Sequence, residues 1–143
     1  MRTTINYVLA VVLIILGILI AVTGWYIFPV CEMEGKFIET KAGKLMPMPC
    51  GYTARAETGL GALVALAGIG LFAFRSADSR RAFGVMTTGL GVVVILIPTL
   101  LIGMCSAPDH ICRIATAPAL ILLGGITVIV GLYLIVARNT AIE

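Results

Sequence analysis

The sequence has little charge. Asp, Glu, Lys and Arg make up 12% of its 143 residues, whereas hydrophobic residues make up 60%. A soluble domain carries about 25% charged residues. A chain this short exposes most of its residues, so a large core cannot account for the shortage of charge. The composition therefore excludes a soluble globular domain and predicts that lipid solvates much of the chain.

Basic residues are few and scattered. The net charge is only +3, and the Lys and Arg residues lie between apolar segments rather than along one face. A surface that binds nucleic acid needs positive charge concentrated in a patch or stripe. Nucleic acid is therefore excluded as a partner.

Four segments lack Asp, Glu, Lys, Arg and His: 7–28, 58–74, 82–104 and 114–137. Each has about 17 residues or more, the length that a helix needs to cross a ~30 Å hydrocarbon core. Lipid cannot satisfy free backbone groups, so such segments cross it as helices. We predict an all-α membrane protein, a four-transmembrane-helix bundle of two hairpins.

The predicted chain is one domain over residues 1–143. Its helices cover about 7–28, 54–74, 82–104 and 114–137, with extracytoplasmic loops at 29–53 and 105–113 and a cytoplasmic loop at 75–81. The first helix is expected to be retained, because it exceeds the ~7–15 apolar residues of a signal peptide and no cleavage site follows it.

Loop charges and cysteines predict the orientation. Arg75, Arg80 and Arg81 crowd one short loop, where the positive-inside bias acts most strongly. The cysteines lie on the other side of the membrane, at Cys31, Cys50, Cys105 and Cys112. Disulfides persist in oxidising compartments, so we expect a multi-pass plasma-membrane protein with cytoplasmic N- and C-termini.

The cysteines are predicted to form structural disulfides. Cys31–Cys50 and Cys105–Cys112 are the favoured pairs, although four cysteines allow three pairings. The first bridge would close the long loop and stabilise the fold by about 3 kcal/mol. Within this loop, segments 36–40 and 44–46 around Gly43 predict a short β-hairpin, which alone is marginally stable in water.

Each predicted helix contains two glycines seven residues apart, which is about two helical turns. The pairs are Gly17/Gly24, Gly61/Gly68, Gly84/Gly91 and Gly124/Gly131. Small residues let helices approach closely in lipid, where no hydrophobic force drives them together. We interpret these eight glycines as helix-packing residues.

A weak internal repeat relates the second and fourth helices. Segment TARA (53–56) follows Cys50, and segment TAPA (116–119) follows Cys112. Thr116 is expected to cap the fourth helix ahead of Pro118. Pro98 predicts a kink in the third helix, because proline removes a backbone donor.

Two chemical alternatives involve the cysteines. In outline the chain resembles quinone-coupled membrane thiol–disulfide oxidoreductases, but those use close pairs such as Cys-x-x-Cys, which this sequence lacks. A zinc site from Cys105, His110 and Cys112 with Cys31 or Cys50, or copper(I) binding by Met46, Met48 and Cys50, is the other alternative. We predict no cofactor, no metal site and no catalytic residue.

Transport is disfavoured by the lack of ionisable residues deep in the predicted helices, since such residues mark ion and proton paths. Arg55 and Glu57 are expected at the outer start of the second helix, where Glu57 suits the helix dipole. Pairing with a loop lysine or Asp109 would make them a structural anchor.

Three segments carry a resemblance to a known family: CGYTARAE (50–57), IPTLLIGMC (97–105) and CRIATAPAL (112–120). They resemble a family of small uncharacterised bacterial and archaeal membrane proteins, known as a domain of unknown function. In that family a histidine tends to follow two of the cysteines, where this sequence has Gly51 and Arg113. This departure counts against a metal-binding or cysteine–histidine role.

The resemblance implies a four-helix fold without an established activity. Genes of the family often neighbour those of ABC-type export permeases, which implies an accessory role. Together with the glycine faces, it predicts a non-enzymatic subunit that packs against a larger membrane complex or against itself.

Overall fold

The computed structural model describes residues 2–29, 35, 37–46, 48–74, 76–104 and 109–137. These residues form four α-helices, namely α1 (Arg2–Val22), α2 (Pro49–Ala73), α3 (Ala77–Leu96) and α4 (Ala117–Val136). They also form π-helical segments π1 (Thr23–Ile27), π2 (Ile97–Leu101) and π3 (Cys112–Thr116), and strands β1 (Ile38–Glu39) and β2 (Leu45–Met46).

The helices are long and apolar enough to cross a membrane. The candidate spans are Thr4–Ile27, Pro49–Ala73, Ala77–Leu101 and Cys112–Val136. Large apolar side chains such as Val8, Leu100 and Leu122 are exposed on the outer surface, where lipid is their natural solvent. The chain is therefore a multi-pass membrane protein in contact with the bilayer.

Packing is strongest within the hairpins. α1 packs along α2, and α3 packs along α4, whereas the contacts of α2 with α3 and of α1 with α4 are less extensive. Backbone of the neighbouring helix lies against Gly17, Gly61, Gly68, Gly84, Gly91, Gly124 and Gly131. Gly24 is buried in π1.

Exposed tyrosines lie near both ends of the bundle. Tyr26 and Tyr52 are exposed at the end that carries Cys50 and Cys112, and Tyr133 is exposed at the other end. At the same end as Tyr133, the ring of Tyr7 packs against Phe72 with centroids 5.0 Å apart. Aromatic rings favour the two interfaces of a bilayer, so these residues mark its approximate limits.

The first loop contains the predicted β-hairpin in shortened form. β1 and β2 are antiparallel, with Ile38 opposite Met46 and Glu39 opposite Leu45. Gly43 has a φ of +70°, a conformation that glycine adopts without steric strain. Its amide donates to the Thr40 carbonyl at 2.8 Å to close the turn.

The predicted cap of the fourth helix is wrong. Thr116 has helical dihedral angles and its side chain makes no capping hydrogen bond. The helical backbone already begins at Cys112 as π3, so the amides that a cap would serve lie further upstream. Similarly, α2 begins at Pro49 rather than near residue 54, because proline suits the first turn of a helix.

Candidate functional site at the cysteine end

The cysteine end is the end of the bundle that carries Cys50 and Cys112. All the π-helical segments in the described part of the chain occur there, in the first, third and fourth membrane helices. Short π-helical segments within α-helices are frequently found at functional sites. The second helix is regular at this level, and its first turns contribute the buried residues Cys50, Thr53, Ala54 and Glu57.

A buried cluster brings the two hairpins together at this end. Cys50 from α2 and Cys112 from π3 are fully buried and pack with Ala54, which is 2% exposed. The half-buried side chains of Met48 and Met104 pack against them, as does that of Trp25. We call Met48, Cys50, Met104 and Cys112 the sulfur cluster.

Local backbone geometry explains how the cluster assembles. Pro49 starts α2 directly after Met48, so Cys50 is held in the first helical turn. On the third helix, the amides of Ile102 and Gly103 both donate to the Ile97 carbonyl, at 3.0 and 3.1 Å. Gly103 then takes a φ of +80°, and Met104 follows it into the cluster.

Two threonine hydrogen bonds join the hairpins reciprocally. The hydroxyl of Thr53 in the second helix donates to the carbonyl of Gly103 after the third, at 2.9 Å. The hydroxyl of Thr116 in the fourth helix donates to the carbonyl of Phe28 after the first, at 3.2 Å. These are the matching threonines of the sequence repeat, so its two copies make equivalent contacts.

The structure does not support the predicted disulfide bonds. Cys31 and Cys105 lie outside the described residues. Cys50 and Cys112 are buried in the sulfur cluster and are not disulfide-bonded. The sequence-based prediction took each cysteine pair as the two ends of one loop. In the structure, Cys50 and Cys112 lie in the first turns of the second and fourth membrane helices and share one buried cluster.

Glu57 is the largest departure from the sequence-based expectation. It was expected at the interface, but it lies two turns into α2 with only 1% of its surface exposed. Glu57 follows Tyr52 by five residues on α2, so at a rise of 1.5 Å per residue it lies about 7.5 Å further along the helix from the cysteine end. The prediction that no ionisable residue lies inside the bundle is therefore wrong.

The Glu57 carboxyl group has no hydrogen-bond partner among the described residues, for either oxygen. The neighbouring hydrogen-bond donors bind other acceptors. Thr53, one turn earlier on α2, donates to Gly103, and Trp25 Nε1 donates to the Thr58 hydroxyl at 2.8 Å. Thr58 in turn donates to the Ala54 carbonyl at 2.8 Å.

The expected anchor involving Glu57 is therefore wrong. Arg55 and Asp109 are exposed, whereas Glu57 points into the bundle. Leaving a buried carboxyl group without partners is energetically costly. An ionisable group at membrane depth is by default a hypothesis for a functional site.

The predicted metal ligands converge only in part. Among the described residues, no group of three or more His, Cys, Asp and Glu is arranged to hold a metal ion. Met46 lies exposed in β2, whereas Met48 packs against the buried cluster that contains Cys50. Among the described residues the predicted copper ligands are not gathered at one place, and the predicted zinc set includes Cys105, which lies outside the described residues.

Sequence reasoning missed Met104 and Thr23. Met104 directly precedes Cys105 in the sequence and was read as the end of a helix. Thr23 is 1% exposed and donates to the Leu19 carbonyl at 2.5 Å. In the sequence, a threonine hydroxyl within an otherwise apolar segment was the feature that could have indicated a buried polar contact.

A family described as a domain of unknown function, DUF4418, has a model that matches residues 13–137. The chain belongs to the DUF4418 family. This match includes the last ten residues of α1 and the whole of α2, α3 and α4, and it confirms the resemblance carried by the cysteine-flanking segments. No curated protein and no solved structure shows a significant match to this DUF4418 protein.

Proposed function

We propose that this DUF4418 protein is a non-enzymatic accessory subunit of a membrane complex. Its partner is a larger membrane protein, such as an ABC-type exporter, with a second copy of the chain as the alternative. We place it in the plasma membrane with both termini in the cytoplasm. Three arginines, Arg75 before α3 and Arg80 and Arg81 in its first turns, support this orientation.

One observation carries the proposal. Gly89 lies in the middle of α3 and is exposed, and nothing lies within 4 Å of the position that a Cβ atom would take. On the same helix, a Cβ atom at Gly91 would lie 2.8 Å from the backbone nitrogen of Val128. Gly91 thus serves packing within the chain, and Gly89 does not.

A glycine inside a helix lowers its stability by about 1 kcal/mol relative to alanine. Close packing of another membrane helix against glycine offsets that loss. The exposed surface of Gly89 is therefore suited to a helix from outside this chain.

Size analysis of the protein, purified from its native membrane in a mild detergent, tests the proposal. We expect the wild-type chain to run within a larger complex and Gly89→Leu to release it as a monomer. Ala62→Leu, which enlarges an exposed residue on α2, is the matched control and should leave the complex intact.

Co-purification of two differently tagged copies identifies the partner. Recovery of both tags together indicates self-association, and recovery of another membrane protein indicates a larger complex. A wild-type chain that runs only as a monomer, or a complex that survives Gly89→Leu, would contradict the proposal.

A further inference from the structure

We propose that the sulfur cluster binds copper(I). The thiolates of Cys50 and Cys112 hold the ion, and the thioethers of Met48 and Met104 complete its surroundings. This site goes beyond an accessory role, because it assigns a specific ligand to one end of the bundle.

The donor atoms select the metal. Soft thiolate and thioether sulfur atoms favour copper(I), whereas zinc takes Cys, His, Asp and Glu. The described residues lack a group of three such zinc ligands, but two methionines pack against the buried cluster that contains both cysteines and Ala54. The assembled chemistry is therefore that of a soft monovalent ion.

The placement of the cysteines also suits a metal ion. Both are 0% exposed, and Ala54 beside them leaves the cluster apolar. They are not disulfide-bonded. An ion held between two thiolates keeps their sulfur atoms well beyond the ~2.05 Å of a disulfide.

Helix ends stabilise the charge of the bound thiolates. Cys50 lies in the first turn of α2, and Cys112 begins π3. The N-terminus of a helix carries a partial positive charge, which favours an anion in the first turn. Exposed Arg55 and Arg113 add positive charge close by in the sequence at the same end.

The binding step involves no change in the oxidation state of copper. Each thiol loses one proton to solvent, and the two resulting thiolates bind one copper(I) ion. The half-buried Met48 and Met104 adjoin the fully buried cysteines. Their thioethers are soft ligands of the kind that copper(I) favours.

Titration of the full-length reduced protein with copper(I), against a chromogenic chelator that competes for it, tests the site. We expect one copper(I) per chain. Cys50→Ser and Cys112→Ser should each weaken binding more than about 100-fold, because losing a second-shell partner alone weakens metal binding by 10–100-fold. Met104→Leu should weaken it less.

Two variants serve as controls. Met86→Leu removes an exposed methionine from α3, away from the cysteine end, and should leave the affinity unchanged. The double variant Cys31→Ser/Cys105→Ser should also retain copper(I), because the proposed site does not use these cysteines.

A second measurement needs no substitution. In the wild-type protein, copper(I) should raise the thermal unfolding temperature in detergent, because a ligand that binds only the folded state stabilises it, whereas zinc should not. The proposal is overturned if both cysteine variants keep the wild-type affinity, or if zinc stabilises the protein as much as copper(I). It is also overturned if added quinone oxidises Cys50 and Cys112 to a disulfide while copper(I) gives no stabilisation, which would indicate a thiol–disulfide oxidoreductase.

Discussion

A Cβ atom on Gly17 of α1 would lie 2.5 Å from the carbonyl oxygen of Gly61 on α2. Real side chains do not approach a backbone oxygen so closely, so neither residue can carry even a methyl group without moving the helices apart. In lipid, close backbone approach supplies the dispersion contacts that hold helices together. This contact therefore sets the spacing of the first hairpin.

Gly17→Ala should destabilise the protein by about 1–3 kcal/mol, the range for overpacking a well-packed interior. The matched control is Gly59→Ala on α2, where nothing lies within 4 Å of the Cβ position. We expect it to be neutral or slightly stabilising, since alanine favours the helix. Unfolding of both variants in detergent micelles measures the difference. Equal effects of the two substitutions would contradict the assigned contact.

Thr116→Val should destabilise the protein by about 0.5–1.5 kcal/mol, because the Phe28 carbonyl loses its hydroxyl donor. Thr53→Val should have a similar effect through Gly103. The control is Thr99→Val, whose exposed hydroxyl donates only within its own helix, to Ile95 at 2.7 Å. If Thr99→Val proves as harmful as the other two, the bonds between hairpins contribute nothing specific to stability.

Glu57→Met should raise stability by about 1–3 kcal/mol, because a methionine of similar length removes a buried carboxyl group that lacks partners. Thermal unfolding in detergent measures the gain. Glu39→Gln, at an exposed position of the β-hairpin, should change little. A loss of stability with Glu57→Met would instead show that the carboxyl group has a polar partner in the assembled protein.

The proposed orientation predicts the accessibility of introduced cysteines. A membrane-impermeant maleimide added to intact cells should label Ala42→Cys, in the exposed turn of the β-hairpin. It should label Ala77→Cys, at the start of α3, only after the membrane is opened. Wild-type cells provide the background from native cysteines. The reverse pattern would place the termini outside the cytoplasm.

The number of membrane helices followed from the sequence because the absence of charge over a sufficient length is a local property. The β-hairpin also followed, since Gly43 marks its turn. The start of α2 did not follow from the sequence. The charged residues after Pro49 predicted a membrane interface, whereas in the structure α2 begins at Pro49 and buries Glu57 within it. Thr116, two residues before Pro118, fitted the pattern of a helix cap. The sequence does not show that the helical backbone already begins at Cys112, so the cap was predicted in the wrong place.

The sequence by itself determined that this protein spans the membrane with four apolar helices, since solvation by lipid depends on composition and length. Only the tertiary structure decided which cysteines meet. Cys50 and Cys112 belong to different hairpins and share one buried cluster, at the end where reciprocal threonine bonds join the hairpins. Such long-range contacts arise from the packing of whole helices, which no local pattern encodes.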